Sequence, residues 1–97
     1  MIDHYKLLPK ARTDLEDIWL YSVNKWGVVQ AEKYLEELEQ SFKFIAENPE
    51  LCPERDEFTP PVRILHHGRH LVVYLVKKDH ILIIRVLHDS MDIVCHL

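Results

Sequence analysis

The chain has 97 residues, 47% apolar and 29% charged, which bounds it to one domain over residues 1–97 with a modest core. Its net charge of −4 argues against a protein that coats nucleic acid. No run of about 18 apolar residues is long enough to span a bilayer, and the first residues, "MIDHYKLLPKARTD", lack the basic start and apolar centre of a signal peptide, so a cytoplasmic protein is expected.

The charge is uneven. Residues 1–60 hold seven Lys/Arg against thirteen Asp/Glu, a net −6, whereas residues 61–97 hold five against three, a net +2. The second part also carries six of the seven histidines, so an acidic partner is expected to meet it. The two cysteines, Cys52 and Cys95, are too few for a secreted disulfide framework and too far apart to make a zinc pattern by themselves. They read as free thiols.

In chain order, residues 2–8 alternate loosely and predict a short first strand ending at Pro9. A helix follows in "PKARTDLEDIWLYSVNKW", where Ala11, Leu15, Ile18, Trp19, Ser22 and Trp26 recur at helical spacing. Two starts compete. Pro9 suits the first helical position, while Thr13 with Glu16 matches a capping box. Gly27 follows the last periodic residue and predicts a C-terminal cap. A second helix begins almost at once, with Ala31, Tyr34, Leu35, Leu38, Phe42 and Ile45 as its apolar stripe and Pro49 as its stop. The short link predicts an antiparallel helix hairpin, with Glu32, Glu36, Glu37 and Glu39 as a solvated face.

A proline-rich loop, "PELCPERDEFTPP", leads into three β-rich runs separated by short breaks. Gly68-Arg69 is the signature of a two-residue type II′ hairpin. Pairing outward from it opposes His67 to His70, His66 to Leu71, Leu65 to Val72, Ile64 to Val73 and Arg63 to Tyr74. A second turn centred on Lys78-Asp79 opposes Val76 to Ile81, Tyr74 to Ile83, Val73 to Ile84 and Val72 to Arg85. Alternation then sorts the sheet into two faces. One carries Ile64, His66, Leu71, Val73, Leu75, Leu82, Ile84 and Val86. It is almost wholly apolar and is expected beneath the helices. The other carries Arg63, Leu65, His67, His70, Val72, Tyr74, Val76, Ile81, Ile83 and Arg85, and is expected to need a cover from the C-terminal tail or a partner protein.

"HHGRH" gathers three histidines in five residues. The register sends His66 to the opposite face from His67 and His70, and no acidic or cysteine ligand is placed beside that pair. The stretch therefore reads as a hairpin tip, with no metal and no cofactor expected. On the second face Arg63, Tyr74 and Arg85 lie near one another. Two guanidiniums and a phenol suit a phosphate or a partner carboxylate. In the alternative, Tyr74 is an edge-of-core aromatic and the arginines pair with Asp79, Asp89 or Asp92.

The order β-α-α-β-β-β, an α+β fold with a helix hairpin on one face of a small, mainly antiparallel sheet and a short C-terminal helix or tail, is joined by specific strings. "DLEDIWLYSVNKWGVVQAEKYLEEL", "NPELC", "VRILHHGRHLVVYLV" and "ILIIRVLHDSMD" resemble the ParE-type toxins of the RelE/ParE toxin–antitoxin superfamily across almost the whole chain. The resemblance implies a compact toxin held inactive by a cognate antitoxin in a hetero-oligomer. It also implies one of two activities, DNA gyrase poisoning in ParE-like members or ribosome-dependent mRNA cleavage in RelE-like ones. The acidic balance, and a candidate site without a placed lysine, favour the first: a binding protein with no catalytic residues, no membrane association and no sequence-specific nucleic-acid contact. Arg63, Tyr74, Arg85, His88, Met91 and Asp92 are the expected target contacts, together with the tail over residues 91–97. Leu65, Val72, Val76, Ile81 and Ile83, with the helix-hairpin groove, are the expected antitoxin surface. "HDSMD" departs from the family, whose chains often carry arginine between the positions of His88 and Asp92.

Overall fold

The computed structural model describes residues 4–97. Ile2 of the expected first strand lies outside them. Strand β1 (Tyr5–Leu7) leads to helices α1 (Pro9–Trp26) and α2 (Val28–Glu47), then to strands β2 (Arg63–His67), β3 (His70–Val76) and β4 (Ile81–His88), and finally to a one-turn helix α3 (Ile93–His96). The sheet order is β1-β4-β3-β2, with β1 parallel to β4 and the other pairs antiparallel. No helix among the described residues is long and apolar enough to cross a membrane.

Helix α1 starts at Pro9, whose missing N–H is an orphan at that position in any case. The capping box is not used. Thr13 bonds back from inside the helix to the Pro9 carbonyl at 3.2 Å. Gly27 alone joins the two helices. At φ +89° it lets its N–H close the last turn on the Val23 carbonyl, while its own carbonyl accepts the first α2 bond from Ala31.

The β2–β3 register is the expected one from Arg63↔Tyr74 to His67↔His70. Gly68 has φ +58° and Arg69 does not have positive φ, which is the type II′ pattern. The β3–β4 pairs Val76↔Ile81 and Tyr74↔Ile83 also hold, but a β-bulge between Val73 and Tyr74 shifts the rest. Val73 faces Arg85, not Ile84, and Val72 faces Val86, not Arg85.

The expected assignment of faces is reversed for β2, β3 and the start of β4, while Val86, beyond the bulge, lies on the helix side as expected. The helices pack on Val72, Tyr74, Ile81, Ile83 and Val86, which join Ala11, Ile18, Leu38, Phe42 and Ile45 in the main core. Burying each large aliphatic side chain stabilises this layer by about 1.5–3 kcal/mol. The opposite face, with Val73, Ile64, Leu75, Ile84 and Leu87, is covered by Phe58 and Val62 of the proline-rich loop and by Ile93 of α3. A bridge between Arg55 and Val62 holds that loop down. Val72, Ile81 and Ile83, expected to receive the antitoxin, are fully buried beneath the hairpin. Leu65 is half-buried at the margin of the same layer, and only Val76 at the strand end is exposed. The reason is that both faces are apolar at their centres. Several of the polar residues that marked the second face as open are partnered by the helices themselves, Arg85 by Asp14 and His70 by Tyr34.

Candidate functional site

The residues expected to contact the target do not converge. Tyr74 opposes Arg63 as the register requires, but its side chain is fully buried and its hydroxyl has no hydrogen-bond partner among the described residues. Burial first, then the neighbouring Cys52 thiol, push its phenol above the ordinary range. Arg63 donates from Nη1 to the Cys52 carbonyl. Both residues therefore anchor the loop to the sheet.

Arg85 is also engaged, though not with Asp79, Asp89 or Asp92. Its Nε and Nη2 donate to the Asp14 carboxylate at 2.8 and 2.9 Å, and Nη1 donates to the His96 carbonyl at 2.9 Å. The Asp14 side chain is 12% exposed and that of Arg85 18%. The bidentate geometry raises the arginine further above its usual value. Beyond Ile83 the short strand β1 no longer covers the edge of β4. Asp14 accepts the Val86 N–H there at 2.9 Å, so one carboxylate both neutralises the guanidinium and caps the edge.

His88 lies on the helix side, because the bulge flips the end of β4 relative to Ile81 and Ile83. Its ring stands edge-on to His70 at 5.5 Å. Its Nδ1 accepts the Ser90 N–H at 3.1 Å and lies 2.6 Å from Ser90 Oγ. Met91 is exposed. Asp92 caps α3 by accepting the Val94 N–H at 3.0 Å.

Two of the depressions beside the helix hairpin differ in chemistry. The first is an apolar groove of about 290 Å³ between α1, α2 and β1. Leu7, Leu15, Trp19, Leu35 and Phe42 line it, with Glu32, Glu36 and Glu39 on its rim. The second is a cleft of about 240 Å³ where the end of α1 meets the β2–β3 turn and the end of β4. Tyr21, Lys25, Trp26, Tyr34, Arg69 and His70 line it, and His88 is the one member that was expected at a functional site. Tyr34 is the organising residue. Its hydroxyl lies 2.6 Å from His70 Nδ1 and accepts the Arg69 N–H at 3.3 Å. Burial raises Tyr34's phenol, so it stays protonated. Burial first, and then His88, hold His70 down at about 4, so its ring is neutral near pH 7. The signals for this cleft were present in Tyr21, Lys25 and Trp26 at the end of α1. A helical stripe reading leaves out Tyr21 and Lys25 and counts Trp26 as a core-facing member, although its ring is half exposed.

The fold and the sequence have known counterparts. The family model of the ParE toxin of type II toxin–antitoxin system, parDE, matches residues 5–93. The chain is 41% identical over 93 residues to Toxin ParE1 of Caulobacter vibrioides, covering 96% of each. It is 39% identical over 94 residues to Toxin ParE1 of Mycobacterium tuberculosis, again covering 96% of each. Toxin ParE of Escherichia coli is more distant, 29% identical over 94 residues, covering 96% of this chain and 91% of that one. Among solved structures, a chain of the chromosomal ParDE TA system from P. aeruginosa superposes with a TM-score of 0.75 at 24% identity, over 90% of this chain and 96% of that one. The near full-length matches and the β-α-α-β-β-β order agree: this chain belongs to the ParE toxin family of type II toxin–antitoxin systems.

Proposed function

We propose that this toxin acts in the cytoplasm by binding DNA gyrase and holding it in a state with cut DNA, with no chemistry of its own. The observation that carries this reading is the fate of the two arginines closest to Tyr74 in the sequence pattern. Arg63 is spent on the Cys52 carbonyl and Arg85 on Asp14. Cleaving RNA through its 2′-hydroxyl needs a base and free cations around the developing phosphorane charge. Tyr74, buried with its arginine neighbours engaged, supplies neither. The exposed tail with Met91 remains the surface for the target.

The cognate antitoxin fits the apolar groove of the helix hairpin. An amphipathic segment would bury apolar side chains on Leu15, Trp19 and Leu35, with basic residues meeting Glu32, Glu36 and Glu39. Purified toxin is expected to inhibit gyrase supercoiling, and the antitoxin to relieve the inhibition. Unaffected supercoiling together with toxin-dependent mRNA cleavage on ribosomes would replace this reading with the endoribonuclease one.

A further inference from the structure

The basic cleft shares no lining residue with the apolar groove, and its composition is specific. Tyr21 and Trp26 are 57% and 49% exposed on a helix whose core face is already buried. Their rings stand nearly perpendicular at 6.1 Å. Lys25 Nζ is held over both, at 5.5 and 5.4 Å from the ring centres, and donates to Tyr21 Oη at 3.1 Å. It has no carboxylate partner among the described residues. Across the cleft the Arg69 guanidinium is exposed and likewise has no hydrogen bond or ion pair among them. Two acids act on Tyr34 at the far wall: Asp89, which lies 3.5 Å from His66 and 3.4 Å from His88 and so faces imidazoles, and Glu37; neither forms an ion pair with Lys25 or Arg69 among the described residues.

The histidine completes the donor set. Tyr34 has a single proton and two acceptors, His70 Nδ1 at 2.6 Å and the His67 carbonyl at 3.4 Å. The nearer acceptor takes it. Assigning that proton to the much shorter contact puts His70's own proton on Nε2, a neutral N–H donor on a residue that lines the cleft. The cleft thus presents two unspent cations and one neutral donor beside two exposed aromatic rings, in a space at the small end of ligand sites.

We propose that this cleft binds one nucleotide unit without reading its sequence, the phosphate on Lys25, Arg69 and His70 and the base against Tyr21 or Trp26. A carboxylate would use the cations and leave the rings idle. A phosphate ester with a flat base uses both, which is the pairing of electrostatic and stacking contacts found where single strands are held. The unit comes either from a free nucleotide or from a single-stranded nucleic acid. The inference does not depend on gyrase being the target.

The test uses the full-length toxin with Trp19→Phe, so that fluorescence reports Trp26 alone. It is titrated with thymidine monophosphate, with a short oligothymidylate, with thymidine lacking phosphate, with inorganic phosphate and with an oligoglutamate. Saturable quenching by the nucleotide or the oligomer, stronger than by thymidine or phosphate alone, is expected. Response to the oligomer but not the mononucleotide identifies a strand as the source. Lys25→Glu and Arg69→Glu are each expected to weaken binding by about tenfold or more, while Lys43→Glu, a remote charge change of the same size, leaves it within about twofold. Circular dichroism of each variant establishes that the fold is kept. No saturable response at millimolar nucleotide, or equal binding of oligoglutamate, would overturn the proposal. An oligoribonucleotide that binds and is also cut supports the site while removing the binding-only reading of the toxin.

Discussion

The groove and the cleft are built on the same two helices and differ in almost everything else. The groove is walled by Leu15, Trp19 and Leu35 and rimmed by glutamates. The cleft is walled by exposed aromatics and rimmed by Lys25, Arg69 and two histidines. The contrast restates, in three dimensions, the division of charge along the chain, with a net −6 before residue 61 and +2 after it. Helix α2 supplies the groove's glutamates, while the cleft takes Lys25 from the end of α1 and Arg69 with its two histidines from the turn and strand ends. One small domain therefore offers two partners of opposite chemistry two separate surfaces, and occupation of one need not block the other.

The largest effect comes from removing what both surfaces rest on. Phe42 is buried, lines the groove floor and meets Tyr5 edge-on at 5.4 Å. Phe42→Ala is expected to cost about 3–5 kcal/mol, read by urea denaturation, and to abolish binding at both surfaces. A loss below about 1 kcal/mol would mean that the hairpin is not the common support.

Asp14 of α1 crosses to the sheet, where it holds both Arg85 and the Val86 N–H. Asp14→Ala strands the Arg85 guanidinium and the Val86 N–H together. It is expected to cost about 2–3 kcal/mol. Arg85→Met in the same background should recover part of that loss, which would place Arg85 in the scaffold and away from the target surface.

Two substitutions separate the surfaces. Gly68→Ala opposes the positive φ and brings a Cβ within 2.9 Å of Tyr34 Oη. It is expected to destabilise by about 1–2 kcal/mol and to disturb the cleft while sparing antitoxin binding. Trp19→Ala is expected to weaken the antitoxin about tenfold to a hundredfold by titration calorimetry, with the cleft unchanged. Reversal of that pattern would mean the surfaces are misassigned.

A further effect is with pH. His70 titrates at about 4 in the fold against an ordinary 6.5. Between those values the unfolded chain binds more protons, so stability rises with pH across the window and is lost as pH falls through it. His70→Gln should flatten that part of the profile.

Much of this was legible in the sequence because it rests on local rules. Gly27 at the helix link, Pro9 at the helix start and the Gly68-Arg69 turn each follow from what one residue's backbone permits, and the hairpin register follows from the turn. The helix-covered face was not legible. Val72, Val73 and Tyr74 are all fully buried, so β3 is covered on both sides. Alternation carries no information about which cover is helical when every central residue is apolar. The unbroken runs "LVVYLV" and "ILII" were the sign of two-sided burial. The bulge at Val73/Tyr74 was also hidden, since it depends on how β4 meets its neighbours and not on a turn residue. Of the residues that line the cleft, His88 alone was singled out for the site from the sequence, and through the family resemblance and not through any local rule. The Asp14–Arg85 pair joins residues 71 positions apart, and no periodicity brings them together.

The central claim is that this toxin works by trapping gyrase on cut DNA. The most direct measurement incubates purified toxin with gyrase, ATP and supercoiled plasmid and looks for linear DNA after protease treatment. Toxin-dependent linear DNA that disappears when antitoxin is added is the predicted result. Its absence, from a toxin that still arrests growth, would contradict the claim and place the target elsewhere.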